Sequence, residues 1–190
     1  FMSKGYDSTS ISILQEELQM SRGAMYRYFK NKEELFISVI DEYFFKLYNK
    51  LLQNMDKEYT ALELINVIYR RQLAIINAFY RAGFTHTVFL NYTALIIQAA
   101  KHYPNFVIHF RKISKRLSEN WKRALIKSIE INEIKKDIDV DIMSILFNSI
   151  SIRESSEDSS LDDEYMAKSV AAEIERKKEV MLYLFSLIKA

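Results

Sequence analysis

The stretch Ser21-Arg-Gly-Ala-Met-Tyr-Arg-Tyr-Phe-Lys-Asn-Lys-Glu-Glu-Leu-Phe36 decides how the rest of the chain is read. Ser21 is a natural helix cap, because its hydroxyl can accept from a backbone N–H that the first turn leaves unbonded. Met25, Tyr28 and Phe29 then follow at i, i+3 and i+4, so a short helix begins here. Asn31 with Glu34 three residues on is a capping-box pattern. It opens a longer helix whose apolar face runs Leu35, Val39, Phe44, Leu47 and Leu51. Upstream, Ile11, Leu14 and Leu18 stand at helical spacing behind Thr9 or Ser10 as cap. Two short helices joined by a tight turn, the second basic and flanked by cap hydroxyls, make the helix-turn-helix pattern.

The remainder reads as long helices. Thr60 and Glu63 repeat the capping pattern and start a helix over 61–82 that stops at Gly83. Another covers 87–101 and must end near Pro104. Residues 105–132 place Phe106, Phe110, Ile113, Leu117, Trp121, Leu125 and Ile129 on one face, with Lys and Arg largely opposite. Helices over 140–152 and 161–189 complete the chain, the last capped by Ser160 with Asp163 three residues on. The stretch 154–160 is the one convincing internal loop. Only three Gly and one Pro occur in 190 residues, too few to punctuate a β-hairpin protein. The fold class is therefore all-α: a compact N-terminal module over residues 1–48 and a larger helical bundle over 49–190.

Several functions are excluded on composition. There is no Cys, so disulfides, thiolate metal sites and cysteine nucleophiles are out. His86, His102 and His109 lack the spacing of a metal site, and no acid–base pair, nucleophile constellation or phosphate-binding Gly loop is found, so neither a metal nor an enzymatic role is expected. No apolar run is long enough to span a bilayer, and nothing resembles a secretory signal; a cytoplasmic protein is expected. Phe1 is not a natural start, so we expect sequence to precede it.

Net charge is only +2, and its distribution says more. Between Glu17 and Glu33 there is no acid, while Arg22, Arg27, Lys30 and Lys32 are basic. Thr9, Ser10 and Ser21 sit at helix starts, where free N–H groups and the positive dipole end suit a phosphate oxygen. Tyr26 and Tyr28 add phenolic donors, although either alone would more often be a half-buried packing residue. Gly23 and Ala24 are small enough to let the helix approach a groove closely. The second basic block, 111–127, has its charges opposite an apolar stripe and reads as a solvated helix face.

These residues resemble the TetR family of bacterial transcription regulators. The matching run is Phe1-Met-Ser-Lys-Gly-Tyr-Asp-Ser-Thr-Ser-Ile11, followed by Met20 to Phe36. It contains an aromatic and a Gly closing the family's first helix, Thr-Ser opening its second, Ser-x-Gly-x-x-Tyr-x-Tyr-Phe as its recognition helix and Lys-Glu-x-Leu opening its fourth. The resemblance covers about the first quarter of the chain, with most of the family's first helix absent from it. Where the family has small residues and a turn Gly, this chain has Gln15, Glu17, Leu18 and Gln19.

The resemblance implies roles by position. Thr9, Ser10, Tyr26, Tyr28 and Lys32 would hold DNA phosphates, with Ser21 and Gly23 at the helix start, and Arg22, Ala24 and Arg27 would lie closest to base edges, Arg being the natural reader of guanine. Leu14, Met25 and Phe29 would be module core. The family places a ligand pocket in the second domain, for which Tyr69, Gln72, Phe89, Tyr92, Phe110 and Trp121 are candidates; the effector would be small and partly apolar or aromatic, with no cofactor. It also pairs its last two helices with those of a second copy. Ile142, Ile145 and Leu146 on one helix and Met166, Val170, Ile174, Met181 and Phe185 on the other are the candidate dimer residues. The function implied is a homodimeric, ligand-released repressor on a palindromic operator. The helix over 32–51, shared by both parts, would carry the ligand signal. The rival is a helical adaptor or ligand-binding protein with a vestigial DNA module, favoured by Glu16, Glu17 and by the seven basic and seven acidic residues that cancel over positions 1–50.

Overall fold

The computed structural model describes residues 1, 4–53, 55, 57–81, 92–152 and 163–190. Among them the regular elements are helices: α1 (Ile11–Leu18), α2 (Arg22–Tyr28), α3 (Lys32–Ile40), α4 (Lys46–Leu52), α5 (Ala61–Arg81), α6 (Tyr92–His102), α7 (Phe106–Glu130), α8 (Val140–Ile152) and α9 (Asp163–Ile188). A π-turn, Asp41–Phe45, joins α3 to α4. The expected stop at Gly83, the start of the helix expected at 87, the loop 154–160 and the Ser160 cap lie outside the described residues.

The caps that set these helices are those the sequence announces. Ser10 Oγ accepts from Ile13 N at 3.2 Å, Ser21 Oγ from Ala24 N at 3.1 Å and Asn31 Oδ1 from Glu34 N at 2.8 Å. Glu34 reaches back one residue further than a capping box requires, to Lys30 N at 2.5 Å. Thr60 and Glu63 form the full reciprocal box, at 2.8 and 3.2 Å. Pro104 leaves α6 ending at His102, and Asn132, at φ 56°, follows the end of α7.

Two compact units result: Phe1–Asn49 with Thr85–Phe110, and Lys50–Phe84 with Arg111–Ala190. The expected division at 48/49 lies beside the observed one at 49/50, but the first unit also takes in α6 and the beginning of α7. The reason is visible at Gly5 and Tyr6. Tyr6 N–H donates to Gln98 Oε1 on α6, and the Tyr6 ring stacks on His102, one turn along the same face, at 4.0 Å. Gly5 sits at φ 77°, the conformation that favours glycine, and a Cβ there would lie a tight 3.0 Å from Gln98 Nε2.

The core of the first unit is Leu14, Met25, Phe36 and Ile40, with Tyr6 and the aromatic pair Phe44 and Phe45. α3 thus buries Phe36 and Ile40, one residue out of phase with the expected Leu35 and Val39, which are half-buried, while the expected Phe44, in the π-turn, is buried. In the second unit, α5 buries Ala61, Leu64, Ile65 and Ile68 and packs on α9, which buries Ile174, Met181, Phe185 and Ile188. Trp121 on α7 is wholly buried, stacked on Phe147 of α8 at 4.7 Å. Ser128 Oγ, also fully buried, accepts from Ala61 N at 2.8 Å and donates to Glu133 at 2.6 Å. The segment after α7 is tied to the end of α9 by Lys135 N to Ile188 O at 2.8 Å and Ala190 N to Glu133 O at 3.2 Å.

The turn between α1 and α2 carries the strain expected where glycine is missing. Gln19 caps α1 in the left-handed region, at φ 50° and ψ 36°, while its N–H still bonds Gln15 and Glu16 carbonyls. A side chain there costs about 1–2 kcal/mol, and glycine gives part of that back in chain entropy. Gln19→Gly should therefore stabilise the protein by about 0.5–1 kcal/mol, read as a raised urea midpoint with an unchanged slope; a lowered midpoint would mean the Gln19 side chain holds the turn.

Candidate nucleic-acid interface

α2 turns Met25 inward, 3% exposed, and leaves a contiguous outward set. Ser21, Arg22, Gly23, Tyr26, Arg27 and Tyr28 are exposed and Ala24 is half-buried. Tyr28 is 71% exposed and Tyr26 42%, so neither phenol serves as core, and the packing reading of these tyrosines does not hold. The Arg22 guanidinium lies 5.8 Å from the Tyr26 ring centre, which props it along the outer face of the helix. A Cβ built on Gly23 meets nothing within 4 Å, so the front of α2 is open. Phe29, half-buried and extended, ends the helix and turns the chain toward α3.

Two of the residues expected to hold phosphate are occupied otherwise. Thr9 is 2% exposed and its hydroxyl donates to Gly5 O at 2.5 Å, closing the turn before α1; Ser10, exposed, is the actual cap. Lys32, half-buried, donates to Tyr6 O at 3.0 Å and holds its ammonium 4.1 Å from the Tyr6 ring centre. Both side chains fasten the Gly5–Tyr6 turn to the module. The acids are partly answered: Lys4 pairs with Glu17 at 3.3 Å, and Glu34 is spent on the α3 cap.

The candidate ligand residues are divided between the two units. Phe110 belongs to the first unit, where it stacks on Phe106 at 6.0 Å. Trp121 is core of the second, its indole N–H without a partner among the described residues. Phe89 and the side chain of Tyr92 lie outside the described residues. Tyr69 lines a cleft of about 460 Å³ with Tyr59, Glu63, Asn66, Val67, Arg70 and Lys178, a lining that mixes charged and amide groups with aromatic and aliphatic ones. Within it the Tyr69 hydroxyl donates to Glu175, a bond that pushes the phenol pKa up and the carboxyl pKa down, and Lys178 bonds Glu175 at 3.1 Å.

The candidate dimer residues split. Ile142, Ile145 and Leu146 on α8 are exposed, at 56%, 60% and 42%. On α9 the expected row is instead the inner one: Ile174, Met181 and Phe185 are buried in their own subunit, Val170 is half-buried, and the Met166 side chain is outside the described residues. The outward apolar residues of α9 are Val180, Tyr183 and Leu187. These are legible as a second row at i, i+3, i+7, but the longer row that begins at Met166 masks them.

Comparison with known proteins agrees with the module. Residues 1–39 match the family model of bacterial regulatory proteins, tetR family. An uncharacterized helix-turn-helix-type transcriptional regulator of Bacillus subtilis, YuxN, is 34% identical over 76 residues, which is 40% of this chain and a quarter of that protein's length. Among solved structures, the ketosteroid regulator KstR2 of Mycobacterium tuberculosis shares the fold at TM-score 0.60 and 17% identity, covering 100% of this chain and 89% of the other. FadR of Bacillus subtilis, solved with stearoyl-CoA, shares it at TM-score 0.56 and 18% identity over 94% and 89% of the two chains. A TetR-family regulator of Cytophaga hutchinsonii does so at 0.58 and 18%, over 100% and 89%.

Thr9 offers a direct check on which side chains face outward. Thr9→Val keeps its shape but leaves the Gly5 carbonyl unbonded, and should cost about 1–3 kcal/mol in urea unfolding while the folded fraction keeps any DNA affinity. Undiminished stability with lost DNA affinity would restore Thr9 to the phosphate set. Residues 1–39 thus match the model of the tetR family of bacterial regulatory proteins, and the chain as a whole shares the helical fold of solved regulators.

Proposed function

We propose that this protein is a DNA-binding transcription regulator, acting as a homodimer on a palindromic operator and released from it, as a repressor, by a small, partly apolar ligand. The observation that carries the reading is α2: seven residues, one of them buried, with Arg22, Tyr26, Arg27 and Tyr28 all presented outward beside an open Gly23. Exposed tyrosines next to arginines are poorly explained by folding, since they bury little, and well explained by a polyanion that accepts their hydrogen bonds. Arg22 and Arg27 have the reach and fork geometry for base edges, and the Ser10, Tyr26 and Tyr28 hydroxyls suit phosphates. Dimerisation is supported by the exposed apolar residues on α8 and α9, because apolar rows left exposed on two helices call for a partner and a palindrome calls for a two-fold one. The ligand is supported by the related fold of FadR, whose structure holds stearoyl-CoA.

Selection of random duplexes by the protein at two salt concentrations tests the DNA reading. A palindrome with half-sites about 34–36 Å apart is expected. Tyr28→Phe should weaken binding to all sequences and Arg27→Ala should relax preference at one base, each at a cost of about 1–3 kcal/mol. Sequence-blind binding that both variants leave unchanged would favour the adaptor reading, which rests on the cancelling charge of the module. The dimer is tested by Ile145→Glu with Tyr183→Glu: sedimentation should show a monomer of unchanged helix content, whereas a persisting dimer would place the interface elsewhere.

A further inference from the structure

The helix that leads out of the recognition module changes its winding between α3 and α4. Over Asp41–Phe45 it is a π-turn, in which Lys46 N–H bonds the Asp41 carbonyl. A π-turn is in effect an α-helix with one residue inserted; it is rare, and it survives only where surrounding contacts hold it. Here one distant segment supplies several of those contacts. Tyr103 donates to Asp41 Oδ1 at 2.7 Å, so Asp41 is held through both its side chain and its carbonyl. Phe44 and Phe45, adjacent in sequence, are both buried, and each ring packs on Phe106, at 5.3 and 5.4 Å. Phe45 also meets Tyr103 at 5.5 Å and His109 at 5.6 Å, while Phe44 meets Phe110 at 6.0 Å. The turn's remaining residues, Glu42 and Tyr43, are exposed. Asp41, Phe44 and Phe45 are thus all held by Tyr103 to Phe110, some sixty positions away from the helix they belong to.

We propose that Asp41–Phe45 is a register joint, kept in its widened form by Tyr103 through Asp41 and by Phe106 beneath Phe44 and Phe45. When those contacts loosen, the turn relaxes toward regular α winding, and α3 rotates against α4 by on the order of one residue's worth, about 100°. An inserted residue is a physical cause of such a kink, and a local opening at it has a measurable free energy. That the rotation re-aims α2, and so regulates, rests on the reading of α2 as the DNA-contacting helix.

The test is hydrogen exchange on the full chain, as wild type, as Tyr103→Phe and with Tyr43 deleted. In the wild type, amides at 43–47 should exchange at least tenfold faster than those at 36–40. Tyr103→Phe should speed 43–47 by a further tenfold and leave α5 unchanged. Deleting exposed Tyr43 removes the insertion, and should bring the joint to the protection of its flanks and lower affinity for the wild-type operator at least tenfold at an unchanged melting temperature. Uniform protection across 36–47 in the wild type, or no local effect of Tyr103→Phe, overturns the joint; wild-type operator affinity in the deletion overturns its coupling to DNA. Should the deletion fail to fold, Tyr103→Phe carries the DNA arm, with a threefold or larger loss expected and an unchanged affinity overturning the coupling. A wild type that binds no operator would sink the functional reading while the exchange data still decide the joint.

Discussion

Tyr6 is the residue through which the first unit is assembled. Its N–H is spent on Gln98, its carbonyl on Lys32, and its ring lies edge-on to Phe36 at 4.7 Å and flat on His102. Three segments far apart in sequence thus meet on one side chain and its peptide. Each bond also fixes something needed elsewhere. Gln98 lies close against the glycine at position 5; Lys32 places the first residue of α3; Thr9, bonding back to Gly5, sets the turn from which Ser10 caps α1. A buried backbone group left unbonded costs about 1–3 kcal/mol, so these bonds are obligations of the turn and not incidental contacts.

That constraint explains why cations that look alike in sequence have different fates in the fold. Lysine and arginine near a helix start both read as positive charge available to phosphate. The structure separates them by what lies behind each. Arg22 and Arg27 sit on a helix with a single buried residue, Met25, and have nowhere to go but outward. Lys32 begins a helix with a turn of backbone folded against it, and its flexible stem reaches the Tyr6 carbonyl. Sequence spacing reports which face a residue is on; it is silent about a carbonyl contributed from twenty-six positions away.

Local signals are otherwise legible. The bounds of α1 and α8, the serine caps of α1 and α2, and the Thr60–Glu63 box follow from neighbours within four residues, and the structure shows each. Phase and partnership are harder to read. The row Leu35–Val39 loses to Phe36–Ile40 because two apolar rows run side by side on α3, and the π-turn shifts phase further on. Trp121 reads both as a member of the apolar row of 105–132 and as a pocket candidate, and it is the centre of a core, facing Phe147. Both differences have the same origin: an apolar residue's destination is decided by a surface that its own segment does not contain.

α9 shows where that ambiguity becomes informative. It carries two apolar rows, Ile174, Met181 and Phe185 inside, and Val180, Tyr183 and Leu187 outside. A helix with one solvated face gains nothing by keeping three large apolar residues there, since single exposed apolar residues are ordinary but an aligned row is not. α8 repeats the arrangement, with Met143 and Phe147 inside and Ile142, Ile145 and Leu146 outside. Two neighbouring helices of one unit, each apolar on both sides, are what a chain must have if the same pair is to close its own core and also meet a copy of itself. The inner rows are fixed by burial. Among the described residues, the outer rows are then the apolar surface that the inner packing of α8 and α9 does not use, and they are the surface on which the proposed two-fold partner rests.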